Sequence, residues 1–321
     1  MQAPENRGFD VSGTGHVICY NRVRHFHDGI DVRPGPVRYI DIHNNDISRC
    51  NDDSMELDGS EQNVRAYLNR ITDTGTGISF QPCRGGPAYV VRNVLYNVGH
   101  ETWKLHLTPV NPKESWAIGP HRTSGGVMIH NTIVKSNPPF RVWSNEGPAN
   151  CFYMRNNLYV GTGNSAIDVS VPLNRLDADH NLYANGEGKA WGLFAFIHNE
   201  KYPTIEDFAA RTGNEKHGLA PAGIEGLFAA KADVPNNKTR YDPPDLRLAP
   251  GSVAIDRGEV LPGVNDGFAG AAPDIGAYEF GRDLPHCEQP SGVGAITTTR
   301  PNQPVGTEPF QVRVVVVGDT S

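Results

Sequence analysis

The residues that could do chemistry fall into two columns. One reads Asp31, Glu56, Ser79, Lys104, Arg141 and Asp168; the other reads Arg33, Asp58, Gln81, His106, Trp143 and Ser170. Each column takes one residue from each of a series of short segments that alternate apolar and polar. Carboxylates gather at one end, Lys104, His106 and Arg141 occupy the middle, and Trp143 lies beside them. Such a face suits an anionic sugar polymer: the cations pair with carboxylates or sulfates, and an indole stacks on a pyranose ring. Trp143, Gln81, Ser79 and Arg33 are the candidate substrate contacts. Neighbouring loops add Asp52, Asp53, His100 and Glu101.

These columns exist only if the segments stack in register. A repeat supplies the stacking. CYNRV, IHNNDI, YLNRI, VRNVL, IHNTI and MRNNL share an apolar residue, a variable one, Asn, another variable one and an aliphatic residue. The asparagines are Asn21, Asn44 or Asn45, Asn69, Asn93, Asn131 and Asn156. The step from Asn21 through Asn45 and Asn69 to Asn93 is 24 residues; it stretches to 38 before Asn131, across an insertion near 108–124. A second segment follows each Asn, for example Gly29-Ile30-Asp31-Val32 and Ser54-Met55-Glu56-Leu57. Period-two alternation marks half-buried strands. Short strands on a winding of this length predict an all-β fold, a parallel β-helix. Ile30, Val32, Met55, Leu57, Ile78, Phe80, Leu105, Val142, Ile167 and Val169 then face the interior. The asparagines read as structural: Asn tolerates left-handed geometry and bonds neighbouring backbone at a turn.

Composition agrees. The 321 residues include 35 Gly and 25 Pro, which disfavours long helices, and 38% hydrophobic residues, enough for a core. No apolar run is long enough to span a membrane. A net charge of −7 disfavours nucleic acid as a partner. The five cysteines form no CxxC pair and read as buried free thiols. The N-terminus has neither a basic nor an apolar signal region, so no signal peptide is read in this chain. Because the first coil lacks a cap, upstream coils are expected to be missing.

The repeat resembles the right-handed parallel β-helix proteins of the pectate-lyase-like superfamily. Three stretches are similar to its bacterial right-handed β-helix repeat group: NDDSMELDGSEQNVRAYLNRITDTGTGISFQP with GGPAYVVRNVLYNVG, then YPTIEDFAARTGNEKHG, then LRLAPGSVAIDRG with NDGFAGAAPDIGAYEFG. The expected organisation is coils over 1–184, a short helical insertion and closing segment over 185–281, and a linker-like tail over 282–321. In that tail Phe310–Val317 either starts a further β domain or pairs locally. The helix is expected after Pro203-Thr204, with Ile205, Phe208 and Ala209 on one face. The resemblance also implies a monomer located outside the cell or in the periplasm.

For activity, the resemblance implies β-elimination on a uronic-acid polymer. That reaction needs a base for the C5 proton, an acid for the leaving oxygen and neutralisation of the C6 carboxylate. Lys104 is the expected base, Arg141 the acid or charge stabiliser and His106 the alternative acid. Glu56 and Asp58, with Asp31 or Asp53, are the expected Ca²⁺ ligands. The expectation requires Lys104 and Arg141 to stack across the insertion. Two alternatives stay open. One is a glycoside hydrolase, with Asp31 and Glu56 at roughly 5 Å or Glu56 and Asp58 at roughly 6.5 Å. The other is a carbohydrate-binding or spike-type module without catalysis.

Overall fold

The computed structural model describes residues 6–32, 37–80, 86–104, 125–142 and 149–285, plus the short strands Ala295–Ile296 and Val316–Val317. The chain is a parallel β-helix. Among the described residues the first sheet has seven strands, from Val17–Cys19 and Asp41–His43 to Leu173–Asp179. The second also has seven, from Arg22–Arg24 and Asp46–Ser48 to Leu182–Asn185. The third face is in two pieces. Arg7–Asp10, Asp28–Asp31, Asp53–Glu56, Thr76–Ser79 and Trp103–Lys104 form one sheet. Phe140–Val142, Ser165–Val169 and Leu193–Ile197 form another, closed by the antiparallel strand Glu200–Tyr202.

Register turns the repeat into a core. Val23, Ile47, Ile71, Leu95, Ile133, Tyr159 and Tyr183 stack in the second sheet; Ile30, Met55, Ile78 and Trp103 stack in the third. All are buried, and each fully buried aliphatic side chain contributes about 1.5–3 kcal/mol.

The corner between the first two sheets explains the asparagines. The residue before each ladder Asn is left-handed: Tyr20, Asn44, Leu68, Arg92, His130, Asn156 and His180 have φ of 54–59°. The ladder itself is Asn21, Asn45, Asn69, Asn93, Asn131, Asn157 and Asn181. From Asn45 onward each Oδ1 accepts from the backbone N and Nδ2 of the Asn one coil earlier, at 2.9–3.1 Å. The ladder is structural, as expected, with two corrections. Asn157 is the member rather than Asn156, and the strained backbone belongs to the preceding residue. The ladder ends on Glu215, whose Oε1 accepts from Asn181 Nδ2 at 2.7 Å and from Tyr183 Oη at 2.9 Å.

The outer face of the second sheet changes character along the axis. One outward column reads Arg22, Asp46, Arg70, then Val94, Thr132, Leu158, Leu182. The next reads Arg24, Ser48, Thr72, then Tyr96, Val134, Val160, Ala184. In the early coils Arg22, Arg24 and Arg70 surround Asp46 at 3.1–3.4 Å. In the later coils the apolar residues form a second core with Leu227, Phe228, Leu246, Leu248, Ala254 and Ile275 of the closing segment.

The helix is Ile205–Thr212. Thr204 caps its start, accepting from Asp207 N at 3.2 Å, and Gly213 ends it at φ 80°. Ile205 and Phe208 are buried and Ala209 is half-buried. Phe208 packs on Phe194 and Tyr202 at the C-terminal end of the interior. Val316–Val317 pairs with Ala295–Ile296. Cys19, Cys50 and Cys151 are free thiols. Only Cys50 of these is fully buried, and burial pushes its thiol up to about 12. No described helix is long and apolar enough to cross a membrane.

Candidate functional site

The third face places Asp31, Glu56, Ser79 and Lys104 side by side, one per coil. Arg141 pairs instead with Asp168 in the second piece of that face. Among the described residues no hydrogen-bonded ladder joins Trp103–Lys104 to Phe140–Val142, yet the two strands are neighbours across the insertion, with Thr102 Oγ1 donating to Pro139 O at 2.6 Å. Arg141 does point outward, with Phe140 and Val142 buried inside, and its Nε lies 3.7 Å from Asp168 Oδ2. Arg33, Gln81, His106 and Trp143 lie outside the described residues.

The acidic end is not the solvated face expected from alternation. Asp28, Asp31, Asp53, Glu56, Asp58 and Ser79 are all buried. Asp28, Asp31 and Glu56 each offer an oxygen within 4.8 Å of the others. Arg7 Nε meets Asp31 Oδ2 at 2.6 Å, Lys104 Nζ meets Asp53 Oδ2 at 3.0 Å, and Ser79 Oγ donates to Asp58 Oδ1 at 2.7 Å. Burial lifts the Asp53 carboxyl to about 6, against the pull of Lys104. Its Oδ1 is buried with no hydrogen-bond partner. Among the described residues the buried carboxylates outnumber the nearby cations Arg7 and Lys104. Hard oxygen donors in such excess fit Ca²⁺ or Mg²⁺. Asp28, absent from the expected ligands, lies in this cluster with Asp31 and Glu56.

Lys104 sits among these acids with its side chain 20% exposed. Desolvation disfavours its charge, but Asp53, Asp52 and Asp58 overcome that and hold the ammonium well above the ordinary lysine range. This environment favours the charged form of Lys104, whereas the resemblance implies a base there.

Beside this cluster, at the corner between the second and third faces, runs a polar groove. One part, about 440 Å³, is lined by Asn51, Asn97, His100, Asn137, Arg141, Asn237 and Arg240, with Cys50, Thr74, Gly75 and Gly99. A second, about 350 Å³, shares Asn51 and Arg240 and adds His25 and Arg49. Among the described residues the lining has three arginines, two histidines and no carboxylate. The 236–241 loop forms one wall and is pinned through buried Asp73, which accepts from Asn97 Nδ2 at 2.6 Å and Tyr241 N at 2.8 Å. Asn237 Nδ2 donates to Gly99 O at 3.3 Å.

Lys135 backs this wall. It is fully buried, and its Nζ donates to His100 O at 2.6 Å. Burial, aided by Arg141, pulls its amine down to about 7. Sequence reasoning missed Lys135, Arg49 and Arg240. Lys135 follows the aliphatic strand Thr132–Val134, and this charge at the end of a core run was the available signal. Arg240 comes from a closing loop outside the repeat and carried none.

No family model matches the chain, and no curated protein matches it. Among solved structures, the crystal structure of pectate lyase Pel9A aligns with 85% of this chain and 68% of that one, at 17% identity and a TM-score of 0.39. At that level no residue role follows from the likeness.

Proposed function

We propose that this chain acts on an anionic, uronic-acid-containing polysaccharide and cleaves it by β-elimination. The observation that carries the reading is the arginine- and histidine-lined groove running beside the buried acidic cluster. Such a lining attracts a polyanion and offers asparagine donors and acceptors to hydroxyls. Arg141 and Arg240 hold the substrate carboxylates. His100, an exposed imidazole lining the groove, would take the C5 proton, imidazole being the commonest general base. Lys104 stays charged and stabilises developing negative charge. Asp28, Asp31, Asp53 and Glu56 would hold Ca²⁺, with Asp58 fixed beside them by Ser79. A bound Ca²⁺ would neutralise a uronate carboxyl and acidify its α-proton. A polymer of this kind does not cross membranes, which supports an extracellular or periplasmic place of action; a monomer suffices for the groove.

The test is incubation with alginate, pectate, glycosaminoglycans and neutral polymers, with and without Ca²⁺. New reducing ends accompanied by ultraviolet absorbance of the unsaturated uronide, lost in His100→Ala, are expected. Reducing ends without that chromophore would mean hydrolysis. Binding without any turnover would mean a recognition module.

A further inference from the structure

At the far end of the coils, three segments distant in sequence bring metal-ligating atoms together. Asp179 ends the last strand of the first sheet, and His180 occupies the left-handed corner after it. His217 follows the helix, and Glu259 belongs to the closing segment. His217 Nδ1 lies 2.8 Å from Asp179 Oδ2; His180 Nδ1 lies 3.8 Å from the same oxygen and 3.7 Å from Glu259 Oε2. Donor atoms of Asp179, His180 and His217 all lie within 4.8 Å of one another. The two imidazoles stack at 4.6 Å, with their planes 23° apart. His180 Nδ1 is buried and has no hydrogen-bond partner.

We propose that His180, His217 and Asp179, with Glu259 as fourth donor, bind a transition-metal dication of the zinc class. In a tetrahedral site with bonds of about 2.0–2.1 Å, neighbouring donor atoms stand about 3.3 Å apart; the two Asp179 separations bracket that value, and Glu259 approaches His180 at 3.7 Å. Two imidazoles select zinc-like ions over Ca²⁺ or Mg²⁺, which take oxygen ligands. Neutral imidazole is the form that binds a metal ion. Arg155 steadies the fourth donor, its Nε 2.6 Å from Glu259 Oε2. The bound ion would tie the last coil, the loop after the helix and the closing segment together. This role is independent of catalysis.

The test uses the full chain without an affinity tag, stripped by a chelator and titrated with Zn²⁺ alone. One saturable site per chain is expected by calorimetry, with a rise in Tm that persists when Ca²⁺ is already present at saturation. His217→Ala removes a side chain that is 64% exposed, and His180→Asn places there a residue that the same corner already carries at Asn44 and Asn156. Both variants are expected to lose the site. Absence of saturable Zn²⁺ binding to the native chain, or native affinity kept in either variant, would overturn the proposal. Cobalt substitution in the unaltered chain gives a readout independent of how the variants fold. Intense visible bands of a four-coordinate ion support the site, and the weak bands of a hydrated six-coordinate ion refute it.

Discussion

Glu215 terminates the asparagine ladder with a carboxylate where every earlier coil offers an amide, and this makes stability depend on pH in a calculable way. The group is fully buried, and burial lifts its carboxyl to about 7 from an ordinary 4.5, despite the hydrogen bonds from Asn181 and Tyr183. The folded state therefore binds this proton more tightly than the unfolded chain does. Its favourable contribution is complete below about pH 4.5 and fades as pH rises through 7. A shift of 2.5 units, at 1.36 kcal/mol each, gives about 3 kcal/mol lost by pH 8.5. Glu215→Gln keeps one carbonyl acceptor and carries no charge at any pH. Urea unfolding of the native chain and the variant at pH 5 and pH 8.5 reads the effect. The variant's stability relative to native should improve by about 2.5 kcal/mol between the two pH values, because a small part of the loss has already occurred at pH 5. Any packing change common to both pH values cancels in that comparison. A native–variant difference that does not move with pH would refute the reasoning.

Four further outcomes are expected. Asn69→Ala leaves the buried Asn45 N–H and amide without their acceptor, at about 1–3 kcal/mol each, so urea unfolding should show a loss of about 2–6 kcal/mol. If Ca²⁺ binds the acidic cluster, the rise in Tm on adding it should shrink as pH falls through about 6, where Asp53 takes up a proton, and should shrink at all pH values in Asp53→Asn. Arg240→Ala should weaken binding of an anionic oligosaccharide about tenfold by calorimetry, while a neutral one is unaffected. The buried Lys135 costs stability in full below about pH 7, and the cost is relieved as pH rises towards 10.5. Lys135→Met should thus raise Tm at pH 6 and do so less at pH 9.

The winding period was legible because one Asn per coil must sit at the same height for its amide to reach the next. The interior was legible too, since Ile30, Met55 and Ile78 alternate with polar neighbours on a strand of period two. Alternation marks a side chain as turned away from the core and does not say whether solvent reaches it. Alternation alone therefore predicts an exposed Asp31 and Glu56, whereas both are buried. The ladder member at Asn156 or Asn157 was ambiguous because two asparagines are adjacent and only the backbone decides which is left-handed. Arg240, His217 and Glu259 come from segments outside the repeat. Nothing in their local spacing announces contacts with coils far away in sequence.

The outward columns of the second sheet have a consequence for assembly. Coils can zip onto one another in the order they leave the ribosome, each templated by its predecessor. The strip formed by Val94, Tyr96, Leu158, Val160 and Leu182 stays bare until Leu227 to Ile275 arrive and wrap back over it. A chain clipped or stalled before that point would keep its winding and present a greasy seam. Premature termination is thus more apt to yield sticky, self-associating material than an unfolded chain.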